Sequence, residues 1–288
     1  MTGGARCGGP TGYTDQMPEQ SGSAAAPEAP RPSGRAAAFF DVDNTMMRGA
    51  SLFAVARKMY SRGAFSLRHA LWIGAQQASF LVRGENLASV HRVRDQALAL
   101  AAGILVDDMT ALGDEIYDEF IASRIWPGTR ALAQAHLDAG RPVWLVTATP
   151  LEVADVIASK LGLSGALGTV VDQHEGVYTG RLVGEILHGP AKAAAVGELA
   201  AREGLDLSAS WAYSDSHNDI PLLTAVGHPV AINPDVRLRR HALAHHWPIY
   251  DFRRGRRAAT IGLRTATYSG AVYGLWRGLK MMKRRFHG

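Results

Sequence analysis

Four short polar segments of this 288-residue chain contain residue types that could together do chemistry. The first is DVDNT, in which Asp41 and Asp43 directly follow the apolar run AAAFF. A carboxylate can attack phosphorus and form an aspartyl phosphate, which divides a hydrolysis into two easier steps. Such a nucleophile and a phosphate substrate are both anionic, so the chemistry also needs a cation. Oxygen ligands from Asp41, the Asp43 backbone carbonyl and Asp215 would suit Mg2+.

The other three segments place polar residues near the end of a predicted strand or the start of a predicted helix. Thr147 follows VWLV, and Lys192 lies near the start of a helix in HGPAKAAAV. Asp215, Asn218 and Asp219 follow SASWAYS. Taken singly, these segments have simpler interpretations: an Asp-x-Asp turn, a threonine that ends a strand, a solvated helix lysine. Because functional groups gather at the carboxyl ends of strands in an open α/β sheet, their joint occurrence favours a phosphoryl-transfer site.

The elements that must position these residues can be predicted from apolar patterning. Residues 36–41 predict a short buried strand. Between about 49 and 125, apolar residues recur at spacings of three and four, which predicts helices. From 127 onward predicted strands and helices alternate, which is typical of a parallel sheet with helices on both faces. A hairpin turn is predicted around His174–Gly176, and HPVAINP is predicted to be the last short strand. We therefore predict an α/β fold with a Rossmann-like parallel sheet core and a helical cap inserted after the first strand.

The same pass along the chain predicts the domain limits. Residues 1–35 are rich in Gly, Pro, Ala and Ser and predict a disordered N-terminal tail. The core is predicted at 36–45 and 127–252, and the helical cap at 46–126. Residues 253–288 predict a basic C-terminal helix.

The four segments, in their order and spacing, resemble the motifs of the haloacid dehalogenase (HAD) superfamily of phosphatases. The placement of the predicted cap between the first two motifs is similar to the phosphoserine-phosphatase-like branch, and the resemblance covers roughly residues 36–235. It implies an Mg2+-dependent hydrolysis of a small phosphomonoester through an aspartyl phosphate on Asp41. It also implies that Asp43 is the general acid and base, which protonates the leaving alkoxide and then activates water.

The resemblance implies roles for the remaining motif residues as well. Thr147 and Lys192 would hold the phosphoryl oxygens, and Asn218 corresponds to a phosphate-contacting position of this branch. Asp219 would support the metal shell by accepting a hydrogen bond from bound water or from Lys192. The metal site would thus be built from Asp41, Asp43, Asp215 and Asp219.

The chain departs from the branch at the residues that select the substrate. Phosphoserine phosphatases usually carry a glutamate nine residues after the nucleophile, where it meets the substrate ammonium, and Ala50 stands at that position here. Arg94, with Arg92 close behind, is the candidate cap arginine for a substrate carboxylate, although both could be solvated helix arginines. The motifs therefore predict a phosphomonoester substrate but do not identify it as phosphoserine.

Charge and cysteine content suggest where the protein works. Residues 253–288 hold ten Lys and Arg and no acidic residue, while the remaining 21 Lys and Arg face 26 Asp and Glu. The single cysteine, Cys7, cannot form an intramolecular disulfide, and the N-terminus lacks the apolar stretch of a secretory signal. These features predict a cytoplasmic protein without a nucleic-acid partner. The basic helix predicts either peripheral contact with the inner face of the membrane or packing on the protein itself.

Two alternative functions use the same motifs. A membrane-surface phosphatase of a phospholipid headgroup or a lysophospholipid would account for Ala50 and the basic helix together. A phosphotransferase would form the same Asp41 intermediate but pass the phosphoryl group to an acceptor other than water. A non-catalytic scaffold is disfavoured because every catalytic position of the motifs is present.

Overall fold

The computed structural model describes residues 34–63, 98 and 101–253. Most of the predicted N-terminal tail, the middle of the predicted cap and nearly all of the predicted basic helix lie outside these residues. The roles given above to Arg94, to Arg92 and to the basic residues after Arg253 therefore stay predictions.

The strands of the described residues are β1 (Ala38–Asp41), β2 (Val143–Pro150), β3 (Gly165–Thr169), β4 (Val171–His174), β5 (Val177–Leu182), β6 (Trp211–Ser214), β7 (His228–Ile232) and β8 (Ile249–Tyr250). Six of them form a parallel sheet in the core, with the strand order β3-β2-β1-β6-β7-β8. A separate antiparallel hairpin pairs β4 with β5.

From residue 127 onward, helices alternate with the strands of the core, as the sequence predicts. The α-helices in the described ranges are α1 (Ser51–Ser61), α2 (Val106–Ile116), α3 (Pro127–Asp138), α4 (Leu151–Lys160), α5 (Pro190–Glu203), α6 (Ile220–Thr224) and α7 (Val236–Ala244). Within those ranges, no helix combines the length and apolar character needed to cross a membrane.

Strand β1 lies at the centre of the sheet and is buried on both faces, which explains the uninterrupted apolar run AAAFF. Phe39 and Phe40 are both fully buried but belong to different apolar clusters, one on each face of the sheet. On one face Phe40 stacks on Tyr213 of the neighbouring β6, with ring centroids 4.2 Å apart. The predicted Rossmann-like α/β fold is thus confirmed.

The described part of the insertion after β1 is mainly helical, as predicted, with turns and isolated bridges between the helices. Helix α1 is the first helix after β1, and α2 continues through a π-helical turn, Tyr117–Ile121, before the chain reaches α3 and the second strand of the sheet. The two insertion helices are joined by ion pairs from Lys58 to Glu115 and Glu119, at 2.9 and 2.6 Å. The fold class, including the helical cap, is confirmed, while the domain limits stay predictions.

The sequence prediction was incomplete at one edge of the sheet. HPVAINP, which forms β7, was predicted to be the last strand, but the two-residue β8 pairs with it in parallel. The predicted hairpin turn is present: Glu175 and Gly176 both have positive φ angles, 50° and 75°, between β4 and β5.

Candidate active site

The turn after β1 brings the chain back across the carboxyl edge of the sheet. Asn44 adopts a left-handed conformation, with φ 59°, and its side-chain oxygen accepts a hydrogen bond from the Gly49 amide at 3.0 Å. Its backbone carbonyl accepts a 3.1 Å hydrogen bond from the side-chain amide of Asn233, which follows β7. These contacts hold the DVDNT segment against the loop after β7, so motifs far apart in sequence meet at one edge.

A buried ion triad joins three of the predicted site residues. The Lys192 ammonium donates to Asp41 Oδ1 at 2.6 Å and to Asp219 Oδ2 at 2.9 Å. Lys192 is the third residue of α5, whose start is set by Gly189, with φ 55°, and Pro190. All three side chains of the triad are buried. The structure therefore brings together residues that the sequence separates by up to 178 positions.

The charges of this triad are only partly balanced. Burial, together with the charges of Asp219 and Asp43, raises the pKa of Asp41 to about 7 in spite of the Lys192 ammonium. Burial alone would lower the pKa of Lys192, but the two carboxylates that accept its hydrogen bonds raise it above its ordinary value. We infer that Lys192 stays protonated. Its single positive charge does not balance the negative charges of the carboxylates around Asp41.

Asp219 is held from a second direction, and one of its oxygens has no partner. Ser214, the last residue of β6, donates to Asp219 Oδ2 at 2.7 Å, the oxygen that also accepts from Lys192. The other oxygen, Oδ1, is buried without a hydrogen bond. A buried carboxylate oxygen without a donor indicates a place for a water or an ion.

Asp215 lies beside the triad, and little in its surroundings offsets the negative charge of its carboxylate. Its carboxylate accepts a long 3.4 Å hydrogen bond from Thr45, and its backbone carbonyl accepts from the Asp235 amide at 2.8 Å. Burial raises the pKa of Asp215 to about 8, and the charges of Asp41 and Asp219 add to this effect.

Asp43 is fixed by the first residue of α1. Its Oδ1 accepts from the Ser51 amide at 2.8 Å and from the Ser51 hydroxyl at 2.5 Å. The same hydroxyl lies 2.5 Å from Thr149 Oγ1, which accepts from Thr147 at 3.2 Å. Burial raises the pKa of Asp43, and the two Ser51 hydrogen bonds oppose that rise.

Asn218 lies in the short turn His217–Asp219, between β6 and α6. A Cβ atom built on Gly189 would be 3.5 Å from the Asn218 carbonyl oxygen, so this turn adjoins the start of α5. The structure thus places Asn218 next to the helix that carries Lys192. The remaining predicted substrate residue, Arg94, lies outside the described residues.

Four hydroxyl residues of the site were missed by reasoning from the sequence: Thr45, Ser51, Thr149 and Ser214. Each donates to, or is linked to, a predicted site residue. Thr149 offered a signal, because it lies two residues beyond Thr147 and side chains that far apart share one face of a strand. Ser51 offered less, since a serine at a helix start is ordinarily read as a cap.

The donor set fits a hard divalent cation. Asp41 and Asp215 supply carboxylate oxygens, and the partnerless Asp219 Oδ1 is a further acceptor. Within the described residues, no three His, Cys, Asp or Glu side chains are grouped so that they could hold a metal ion by themselves. A cation bound here would therefore keep several waters beside the carboxylates and a backbone carbonyl, as Mg2+ does.

Comparisons with known proteins agree with this geometry. The family model of haloacid dehalogenase-like hydrolase matches residues 38–224. Phosphoserine phosphatase SerB1 of Mycobacterium tuberculosis is 52% identical over 259 residues, which are 90% of this chain and 84% of that protein. A Bordetella pertussis protein of unknown function has a similar crystal structure, with a TM-score of 0.68 and 30% identity over 76% of this chain and all of its own.

A structure of phosphoserine phosphatase with a phospho-aspartyl intermediate analogue also shares the fold. Its TM-score is 0.53 and its sequence identity 18%, covering 76% of this chain and 94% of that one. The chain belongs to the haloacid dehalogenase-like hydrolase family. Its enzyme class is that of the family's phosphatases, the phosphoric monoester hydrolases, as the motifs predicted.

Proposed function

We propose that the protein hydrolyses a small phosphomonoester in an Mg2+-dependent reaction that passes through a phosphoryl group on Asp41. The observation that carries this proposal is the buried triad of Asp41, Lys192 and Asp219 beside Asp43 at the carboxyl edge of the sheet. A lysine in contact with two carboxylates, with two further carboxylates close by, is suited to hold a phosphate between cations and a nucleophile.

Asp41 is the nucleophile in this proposal. Its Oδ1 accepts from Lys192 at 2.6 Å, which orients the carboxylate and leaves Oδ2 for attack on phosphorus. Attack forms the Oδ2–P bond as the bond to the leaving oxygen breaks, and Asp43 donates its proton to that oxygen. Asp43 then takes a proton from a water that attacks phosphorus and releases Asp41.

The phosphoryl oxygens and the cation are held by the surrounding side chains. Thr147, Asn218 and Lys192 would contact the phosphoryl oxygens, the lysine as a charge that stabilises the transition state. The Asp41 and Asp215 side chains and the Asp43 carbonyl would hold Mg2+, and Asp219 would support its bound water. When bound, Mg2+ would neutralise phosphate charge and polarise a phosphoryl oxygen.

Phosphoserine is the first substrate to test, because SerB1 is named a phosphoserine phosphatase. Ala50 argues against it, since this position at the start of α1 offers no carboxylate for a substrate ammonium, and the first turn of α1 holds no acidic residue. We propose that residues 46–126 act as the cap that selects the substrate and that Arg94 meets a substrate carboxylate.

The test is phosphate release by the purified protein across a panel of phosphomonoesters with Mg2+. The panel holds phosphoserine, sugar phosphates, phosphoethanolamine, phosphocholine and lysophosphatidate, and Asp41→Asn is the control. We expect release of free phosphate from at least one substrate without an added acceptor, and loss of that release in Asp41→Asn. Wild-type turnover in the variant would overturn the mechanism. Turnover that requires an added acceptor would indicate the phosphotransferase alternative.

A second candidate is a phosphatase that acts on a lipid phosphate at a membrane surface. Leu52 and Phe53, directly beside the buried Ser51, are 51% and 61% exposed and give the start of α1 an apolar surface. The chain leaves the described core at Arg253, just after β8, at the same edge of the sheet as Asp41. The basic residues that follow would then act at the inner face of the membrane.

Sedimentation with liposomes of phosphatidylglycerol and phosphatidylcholine tests this candidate, with the full chain and a chain that ends at Arg253. We expect the full chain alone to sediment, and less so at higher salt, because basic side chains bind anionic lipid through screened charges. If both proteins stay in the supernatant, the lipid-surface candidate fails while the phosphatase proposal is unaffected.

A further inference from the structure

Ser51 makes hydrogen bonds that differ from those of an ordinary serine at the start of a helix. It is the first residue of α1 and is fully buried, whereas Leu52 and Phe53 after it are exposed. Both of its donors, the amide and the hydroxyl, converge on one atom, Asp43 Oδ1, at 2.8 and 2.5 Å. The side chain therefore serves a neighbouring carboxylate and does not cap its own helix.

The hydroxyl groups behind Ser51 form a directed chain. A hydroxyl carries one proton, and the Ser51 proton is used in the bond to Asp43. The 2.5 Å contact between Ser51 and Thr149 therefore takes its proton from Thr149, and the 3.2 Å bond behind it takes its proton from Thr147. The Ser51 and Thr149 protons thus point towards Asp43, and the Thr147 proton, which the proposed function assigns to a phosphoryl oxygen, joins this chain only without substrate.

We propose that Ser51 is a positioning residue for proton transfer by Asp43. The inference rests on the proposed function, in which Asp43 protonates the leaving oxygen. Because Oδ1 accepts from two donors, the proton that Asp43 exchanges with the substrate sits on Oδ2.

The proton balance of the first step follows from this arrangement. When the phosphorus–oxygen bond breaks and the bond to Asp41 forms, the Oδ2 proton moves to the leaving oxygen. Asp43 is left as a carboxylate whose Oδ1 is already stabilised by the Ser51 amide and hydroxyl. In the second step the Asp43 carboxylate recovers a proton from the attacking water.

The arrangement also links the cap to the chemistry. Ser51 belongs to α1, and α1 is joined to α2 by the ion pairs of Lys58. The contacts of Ser51 with Asp43 therefore tie the start of this pair of helices to the core beside the acid.

The test compares two aryl phosphates whose leaving groups differ in their need for a proton. Phenyl phosphate has a basic leaving group, and 2,4-dinitrophenyl phosphate has one that departs without protonation. The measured quantity is kcat/KM, which reports steps up to formation of the phosphoenzyme. For Ser51→Ala we expect a loss of about 10–100-fold with phenyl phosphate and of less than about 3-fold with the dinitrophenyl ester.

The ratio of the two values is independent of how much of the sample is folded, because both substrates meet the same preparation. Ser51→Thr keeps a hydroxyl and should restore the wild-type ratio. Ser61→Ala is the matched control, because Ser61 ends the same helix, is exposed and bonds only to the Lys58 carbonyl among the described contacts. An equal loss on both substrates in Ser51→Ala, or no loss on either, overturns the inference.

Asp43→Asn separates a failure of this inference from a failure of the proposed function. If Asp43→Asn discriminates between the two esters and Ser51→Ala does not, Asp43 is the acid and Ser51 does not position it. If Asp43→Asn fails to discriminate, the acid role of Asp43 falls, and the role of Ser51 falls with it.

Discussion

Replacement of Asp215 by asparagine should stabilise the protein when divalent cations are removed. The Asp215 carboxylate is partly buried, lies near Asp41 and Asp219 and receives one long hydrogen bond from Thr45. Its pKa is raised from 3.8 to about 8. A group with a raised folded pKa contributes stability below its unfolded pKa, and that contribution is lost as the pH rises through the folded value.

The size of the effect follows from the shift. One pKa unit corresponds to about 1.36 kcal/mol, so a shift from 3.8 to about 8 sets an upper limit of about 6 kcal/mol at alkaline pH. Water and side-chain relaxation reduce the penalty of a buried ion to several kcal/mol at most. We expect Asp215→Asn to raise the free energy of unfolding by about 2–4 kcal/mol at pH 8.5, and by much less at pH 5.

The assay is urea denaturation with a chelator at both pH values, and again with Mg2+ in place of the chelator. Mg2+ should stabilise the wild-type protein more at pH 8.5 than at pH 5 and should stabilise Asp215→Asn weakly at either pH. The control is Asp138→Asn, because Asp138 is exposed at the end of α3. A chelated Asp215→Asn protein no more stable than wild type at pH 8.5 would refute the reasoning.

Three further outcomes are expected. Lys192→Met leaves Asp41 buried without its cation, so turnover should be lost and urea denaturation should show a cost of about 3–5 kcal/mol. Burial lowers the pKa of His136 from 6.5 to about 4, so in urea denaturation the stability of wild type relative to His136→Gln should fall by up to about 3 kcal/mol as the pH drops from 6.5 to 4. A Cβ on Gly168 would lie 2.6 Å from backbone at the start of α4, so Gly168→Ala should lower the melting temperature and kcat/KM. Gly197→Ala, with open space around it inside α5, should raise the melting temperature slightly and leave kcat/KM unchanged.

Much of the fold could be predicted because its signals are local. The run AAAFF predicts a strand buried on both faces, and β1 is flanked by β2 and β6 as such a strand requires. Gly140 and Gly162 mark helix ends, and both have φ near 70° just beyond α3 and α4. Strand β8 was missed because two residues are too few to show a period.

The candidate site could be predicted only in part. Motif order indicated that Asp41 and Lys192 belong to one site, yet their contact spans 151 positions and depends on how α5 meets the sheet. The contact between Ser51 and Thr149 depends on where α1 begins and on how deeply its first turn is seated. No local pattern reports that depth, so the hydroxyl residues behind the carboxylates emerge only from the folded chain.

The charge balance of the site connects its stability with its chemistry. Asp41, Asp43, Asp215 and Asp219 converge at one edge of the sheet, and within the described residues Lys192 is the cation that bonds to two of them. Serine and threonine hydroxyls relieve some of the remaining charge, but burial still raises the pKa of Asp41, Asp43 and Asp215. Such a site costs folding free energy by itself, and the same deficit of positive charge gives it affinity for a divalent cation. The uncompensated negative charge of the carboxylates is therefore the physical reason to expect Mg2+. The cation in turn would let Asp41 act as a charged nucleophile at neutral pH.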